Sequence, residues 1–158
     1  MKKLVKTIQS LFKLLFFTKY KLKFPQKNTT NAVILGNGPS LKQMLSENID
    51  FLEDKNLFAL NYFALSDEFI KLKPSNYVII DFKFFSDNAN DSHTLKNRPE
   101  LWSNIGKIDW KMNLFLPFEA KKHEFWKPYI SKNDFLNLYF LNLTAIEGFK
   151  GFKQACYK

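Results

Sequence analysis

The chain has 158 residues and 18.7 kDa, which is enough for one domain of ordinary size. The chain contains 46% hydrophobic and 25% charged residues, and this composition excludes collagen-like, low-complexity and wholly disordered proteins. The net charge is +9, and Arg98 is the only arginine, so bidentate arginine contacts to bases are scarce and DNA is not an expected partner. The single cysteine, Cys156, rules out an intrachain disulfide and indicates a reducing, cytoplasmic location.

Residues 1–25 are predicted to form a basic amphipathic helix that constitutes the first domain. Its apolar residues recur at helical spacing: Leu4, Ile8, Leu11, Phe12 and Leu15. Lysines interrupt this run well before the roughly 18 uncharged residues that a membrane span requires. Such a helix lies on an anionic membrane surface, here the inner membrane, or it packs against protein, either its own domain or an oligomer partner. The sequence is compatible with the membrane surface and with protein packing.

A glycine-rich segment opens the second predicted domain, residues 30–158. Ala32–Leu35 is a short apolar run typical of a buried parallel strand. Gly36 and Gly38 follow it and allow a tight turn and close approach of the backbone to a ligand. Pro39 suits the first position of a helix, which apolar residues then continue at helical spacing. This arrangement binds phosphate at the helix N-terminus, although a plain turn between strand and helix is the alternative.

Two further apolar runs also end in polar residues. Asn61 follows the strand predicted at 58–60, and Asp81 follows the strand predicted at 78–80. Together with Asn37 and Ser40, they place polar groups at the carboxyl ends of three successive strands, where open α/β sheets bind ligands. Asn61 has an alternative role as a turn residue, and Asp81 as the N-cap of a helix from Phe82 onward.

The string GNGPSL after a first strand resembles the opening of the bacterial sialyltransferases of glycosyltransferase family forty-two. It is also similar to the MptE-like domain of pterin pyrophosphokinase-like proteins and motility accessory factors. The segments LFALNYFAL and YVIIDF resemble the second and third strands of these families, so the similarity covers residues 31–85. It implies a Rossmann-like fold and a nucleotide-sugar ligand, with phosphate and nucleoside contacts from Gly36, Asn37, Gly38, Pro39, Ser40, Asn61 and Asp81. Asp81 is also a candidate ligand for a divalent cation such as magnesium.

The second half of the chain contains weaker signals. Residues 87–98 are polar without an apolar period and are predicted to form a lid-like loop, from which His93 and Arg98 can reach phosphate. Helical or mixed patterns cover 101–107 and 118–130, and strands are predicted at 113–117 and 135–143. His123 is adjacent to Glu124 and therefore points away from it on a helix, which favours a structural or solvated imidazole.

The resembled families continue for about as many residues again beyond the point where this chain ends. The expectation is therefore the N-terminal portion of an α/β, Rossmann-like parallel sheet with flanking helices, incomplete at its C-terminus. A companion chain or a second copy is expected to cover its open edge. No catalytic or metal-binding residue is assigned. The predicted function is that of a glycosyltransferase-like protein, or a remnant of one, of surface polysaccharide or flagellin glycosylation. The alternatives are a pterin pyrophosphokinase-related protein and a non-catalytic nucleotide-binding module.

Overall fold

A computed structural model of the chain describes residues 2–19, 22–26, 29, 31–36, 38–52 and 54–143. In the larger of its two units, Lys23–Leu141, five strands form one parallel sheet. The strands are β1 (Val33–Leu35), β2 (Leu57–Leu60), β3 (Asn76–Val78), β4 (Met112–Pro117) and β5 (Leu136–Leu141). The predicted α/β, Rossmann-like fold with a parallel sheet is confirmed. The third strand is the least accurate prediction, because it begins two residues earlier than expected, at Asn76.

The strands follow one another across the sheet in chain order. They are connected by α2 (Pro39–Asn48), α3 (Glu68–Leu72), α4 (Ser92–Gly106) and α5 (Lys127–Ile130), and by 3-10 turns at Ile49–Leu52, Asn61–Leu65, Phe82–Phe84 and Phe118–Lys122. Among the described strands, this order contains no point at which the direction of strand addition reverses. Because crossovers between parallel strands are nearly always right-handed, the connecting segments lie on one face of the sheet.

The core lies on one face of this sheet. Leu35, Ala59, Tyr77 and Leu114 stand side by side in register across four strands, and all are fully buried. On the opposite face, Ile34 is 68% exposed. Because side chains alternate between the faces of a strand, the buried face carries the apolar residues that hold the connecting segments in place.

A row of asparagines crosses the less buried face. The side-chain amide of Asn137 donates to Oδ1 of Asn113 at 3.4 Å, and that of Asn113 donates to Oδ1 of Asn76 at 3.0 Å. Asn76 in turn donates to Oδ1 of Asn56 at 2.7 Å. Asn113 is the register partner of Asn76 and of Asn137, so the hydrogen bonds between their side chains would be lost if a strand slipped by one residue. The row therefore favours the observed strand register.

Helix α4 corrects the prediction of a loop at 87–98. Asp91 caps the helix: its Oδ1 accepts from the backbone N–H of His93 at 3.2 Å, and its Oδ2 accepts from the hydroxyl of Thr94 at 2.6 Å. The first inward-facing positions of the helix carry Thr94 and Arg98, which are buried although polar. Since these positions are not apolar, the sequence shows no apolar period until Leu101, and the start of the helix could not be recognised.

The smaller unit contains helix α1, Lys2–Phe17. The predicted amphipathic helix is thus confirmed up to Phe17, eight residues short of its expected end, and Leu22–Gln26 have no regular secondary structure. Within the described part of the chain, no helix combines the length and apolar character needed to cross a bilayer. The prediction for Cys156 and that for the chain end from Gly148 onward lie outside the described residues.

Candidate functional site

The glycine segment forms the connection between β1 and α2, as predicted. The backbone N–H of Gly38 donates to the carbonyl of Gly36 at 2.9 Å and closes a tight turn. Gly38 is the N-cap of α2, and Pro39 is its first residue, where the missing N–H of proline costs no hydrogen bond. Asn37 lies outside the described residues. The turn uses the N–H of Gly38, and the N–H of Leu41 donates to the carbonyl of Gly38 at 3.0 Å. The N–H of Ser40, at the second position of α2, has no acceptor within its own helix.

Neither glycine is required by the backbone conformation. Gly38 has φ −90° and ψ 159°, values open to any residue, and Gly36 is also outside the left-handed region. A Cβ atom built on Gly36 would meet no protein atom within 4 Å. The absence of a side chain here therefore leaves open space directly beside the carboxyl end of β1.

A cleft of about 480 Å³ lies next to this turn. Its lining joins the glycine segment, helix α2 and the segment that follows β2: Gly38, Leu41, Leu45, Tyr62, Phe63, Leu65, Ser66, Asp67 and Glu68. The walls are mainly apolar, and the polar side chains of Ser66, Asp67 and Glu68 follow one another in the chain. Apolar walls with a few polar groups are typical of small-molecule sites.

Asn61 lies at the end of β2, where it was predicted, and turns the chain into the cleft wall. Its φ of 50° is left-handed, a conformation that asparagine tolerates better than most residues. Its backbone carbonyl accepts a hydrogen bond from the hydroxyl of Tyr77 at 2.5 Å, and the same hydroxyl accepts from the N–H of Ala64 at 2.8 Å. The role of a turn residue is thus supported for Asn61, and a ligand contact by its side chain stays a prediction.

Tyr77 is fully buried on β3, and this burial raises the pKa of its hydroxyl. Replacing Tyr77 by phenylalanine is expected to lower the free energy of unfolding by about 1–3 kcal/mol, because it leaves the Ala64 N–H and the Asn61 carbonyl without their partner. Chemical denaturation measures this loss. A Tyr129→Phe variant, whose tyrosine is only partly buried, serves as the control and is expected to change stability little.

Asp81 follows β3 and is half exposed. Its carboxylate accepts from the backbone N–H of Lys83 at 3.2 Å and so caps the 3-10 turn Phe82–Phe84, which confirms the alternative role anticipated for it. The ammonium group of Lys83 lies 3.7 Å from the Asp81 carboxylate and 3.5 Å from that of Asp91. Nucleoside binding by Asp81 stays a prediction.

A polar cluster connects this region to the cleft. The hydroxyl of Tyr62, which lines the cleft, lies 2.7 Å from Oγ1 of Thr94 and 3.3 Å from Nδ1 of His93. Thr94 donates to Asp91, and this bond, more than the attraction of Lys83, keeps the pKa of Asp91 below its ordinary value. Loss of hydration lowers the pKa of Lys83, but the negative charges of Asp81 and Asp91 outweigh it and raise that pKa. Lys83 is therefore a paired cation.

Asp87 and His123 form a pair that the sequence did not suggest. Nδ1 of His123 lies 3.2 Å from Oδ2 of Asp87, and Oδ1 of Asp87 accepts from the N–H of Phe125 at 3.1 Å. Loss of hydration raises the pKa of Asp87, but the bonds from His123 and the backbone outweigh it and keep the pKa low. The rings of Phe82 and Phe85 pack against the imidazole, which is 15% exposed. The partners are 36 positions apart in the chain, so the sequence contains no local signal of their pairing.

Arg98 is in a different environment from the predicted phosphate contact. Its side chain is buried, with the guanidinium 3.9 Å from the centre of the Phe125 ring, and Nη1 donates to the carbonyl of Ser86 at 2.5 Å. The guanidinium thus holds the segment after β3 against the residues that follow β4. The interpretation of Arg98 as a phosphate ligand is therefore corrected to a structural one, whereas His93 does lie beside Tyr62.

Among the residues that the structure describes, no group of three or more histidine, cysteine, aspartate or glutamate side chains is arranged to hold a metal ion. Asp67 and Glu68 are the carboxylates that line the cleft. Comparison with known proteins adds no assignment, since no protein-family model, no curated protein and no solved structure matches this chain.

Proposed function

We propose that the cleft between the glycine segment and Tyr62 binds a nucleotide-activated sugar. On this proposal the chain is a glycosyltransferase-like protein, or a remnant of one, that acts in the glycosylation of surface polysaccharide or flagellin. The observation that carries the proposal is the open space beside Gly36. Neither the backbone conformation nor a neighbouring protein atom requires glycine there, and the cleft begins at Gly38. A ligand that approaches the backbone closely accounts for both features.

The phosphates are proposed to lie at the start of α2. The N–H of Ser40 and the positive end of the helix dipole favour an anion there, and Gly36 and Gly38 let it approach. Asn37 and Asn61 are proposed to contact the nucleotide, with the ring of Tyr62 forming an apolar wall for its base. Asp81 is proposed to accept a hydrogen bond from a ribose hydroxyl.

The cleft lining also includes Asp67 and Glu68, whose carboxylates repel phosphate. Two carboxylates are few for a dedicated divalent-cation site, and Mg²⁺ keeps several waters when it binds with phosphates. The proposal therefore includes no step that depends on a metal, and magnesium enters only as a variable of the binding assay.

A thermal-shift assay on the purified chain tests the proposal. Cytidine monophosphate-sugar, uridine diphosphate-sugar and adenosine triphosphate are added in turn, each with and without magnesium. A ligand present at 100 times its Kd stabilises the folded protein by about 2.7 kcal/mol, which is measurable as a rise in Tm. Stabilisation by a nucleotide-sugar above that by adenosine triphosphate supports the proposal. A response to adenosine triphosphate alone favours the pyrophosphokinase-related alternative, and no response to any of them contradicts nucleotide binding.

The second candidate is a binding module without turnover, and the burial of His123 favours it. A glycosyl acceptor needs a general base, which contributes about 10²–10⁴-fold to the rate. The imidazole of His123 is mostly covered by Phe82 and Phe85, so it offers little surface to a substrate hydroxyl.

We therefore expect sugar transfer by the purified chain to stay at the background rate. Release of free nucleotide from the nucleotide-sugar, followed by chromatography, measures it. The variant His123→Asn removes the imidazole that is paired with Asp87. The variant His93→Asn is the control, because it removes the other histidine, which contacts Tyr62. Transfer that His123→Asn abolishes and His93→Asn retains would contradict the expectation and assign the Asp87–His123 pair to catalysis.

A further inference from the structure

The apolar side of helix α1 is exposed to solvent. At 100° per residue, Leu4, Val5, Ile8, Leu11, Phe12, Leu15 and Phe16 fall within an arc of about 140° around the helix axis. Each of these side chains is between 47% and 71% exposed. Ser10, on the opposite side of the helix, is only 2% exposed. The helix therefore buries a polar position and exposes its apolar arc.

The net charge of the chain is concentrated in its first 46 residues, which include this helix. Residues 1–46 contain nine lysines and no acidic residue, whereas residues 47–158 carry 15 basic and 15 acidic side chains. The whole net charge of +9 thus belongs to the first 46 residues. In α1 itself, Lys6 and Lys13 are exposed and lie within about 80° of Phe16, at one border of the apolar arc.

We propose that α1 lies flat on an anionic lipid surface, with its apolar arc in the boundary between headgroups and acyl chains and its lysines at the phosphates. An exposed apolar arc bordered by lysines is the pattern of interfacial helices. Acidic residues, which anionic lipids would repel, begin only at Glu47. A second copy of the chain is the less favoured occupant, because pairing the two α1 helices would bring together two segments that each carry nine lysines and no acidic residue.

Co-sedimentation of the full chain with lipid vesicles tests this proposal. The vesicles contain either phosphatidylcholine alone or equal parts of phosphatidylcholine and phosphatidylglycerol. We expect binding to the anionic vesicles to exceed binding to the neutral ones at least tenfold at low salt and to fall as salt is raised, because each lysine near the surface contributes about 1 kcal/mol, or roughly fivefold. Equal binding to both vesicles, or binding to neither, overturns the proposal.

Three variants locate the binding surface. Phe12→Gln combined with Leu15→Gln removes apolar surface from the exposed arc, and Lys13→Glu reverses a charge at its border; both are expected to weaken vesicle binding at least tenfold. Phe51→Gln removes an equally exposed ring from the larger unit and is expected to bind like the parent chain. Circular dichroism checks that each variant remains folded. A dimer in sedimentation velocity that the Phe12→Gln, Leu15→Gln variant dissociates, with vesicle binding unchanged, assigns the arc to a second copy and overturns the proposal.

Discussion

Replacing Gly38 by valine is expected to weaken nucleotide binding at least tenfold, or by about 1.4 kcal/mol. Gly38 lines the cleft and begins α2 with φ −90° and ψ 159°, which valine can adopt. The new branched side chain would therefore occupy ligand space without demanding a new backbone conformation. Isothermal titration with the nucleotide-sugar that gives the largest thermal shift measures the affinity of the folded variant.

Two other glycines provide matched controls for this experiment. A Cβ atom on Gly36 meets no protein atom within 4 Å, so Gly36→Ala is expected to change the stability by less than about 0.5 kcal/mol while it weakens nucleotide binding. A Cβ atom on Gly106 would overlap the carbonyl oxygen of Tyr129, so Gly106→Ala is expected to destabilise the fold by about 1–3 kcal/mol and to leave the affinity of the folded protein unchanged. Unchanged affinity in both Gly36→Ala and Gly38→Val would show that the segment is only a turn.

The second large effect concerns Arg98. Replacement by methionine is expected to lower the free energy of unfolding by about 2–4 kcal/mol, because the Ser86 carbonyl loses a charged donor and the Phe125 ring loses its cation. Lysine at this position is not expected to restore the stability, since its ammonium lacks the planar, forked geometry of a guanidinium. Urea unfolding of the parent chain and both variants measures these changes.

Nucleotide titration of the same variants separates the structural role from ligand binding. If Arg98 only supports the fold, the folded fractions of Arg98→Met and Arg98→Lys bind the nucleotide-sugar with the affinity of the parent chain. An affinity that falls with methionine and partly recovers with lysine would restore the interpretation of Arg98 as a phosphate ligand.

The sequence was informative where the pattern of apolar residues matches burial. Strands β1, β2, β4 and β5 were recognised because their core-facing residues are apolar, and the start of α2 because Gly38 and Pro39 mark it. The start of α4 was missed because Thr94 and Arg98 occupy inward positions that are usually apolar. Pattern analysis depends on such positions, so a buried polar residue that is satisfied by a distant partner conceals the element that carries it.

The surroundings of the candidate site depended on distant pairs. The residues that follow individual strands, Asn61 and Asp81, could be predicted, since each is adjacent to an apolar run. The side-chain contacts of the site join distant positions: Tyr62 is 32 residues from Thr94, and Asp87 is 36 residues from His123. The arrangement of the strands in the sheet brings these partners together. The local roles of Asn61 in a left-handed turn and of Asp81 as a cap likewise follow from backbone geometry that the residue types permit but do not require.

Glycine-selective ¹⁵N labelling shows directly whether the glycine segment contacts the nucleotide. The chain contains five glycines, so its amide spectrum is simple to assign by substitution. On titration with the nucleotide-sugar, we expect the amide signals of Gly36 and Gly38 to shift with one common Kd, while that of Gly106, which lies against Tyr129 at the end of α4, stays in place. A nucleotide that raises the Tm but leaves the signals of Gly36 and Gly38 unchanged would show that it binds elsewhere on the protein.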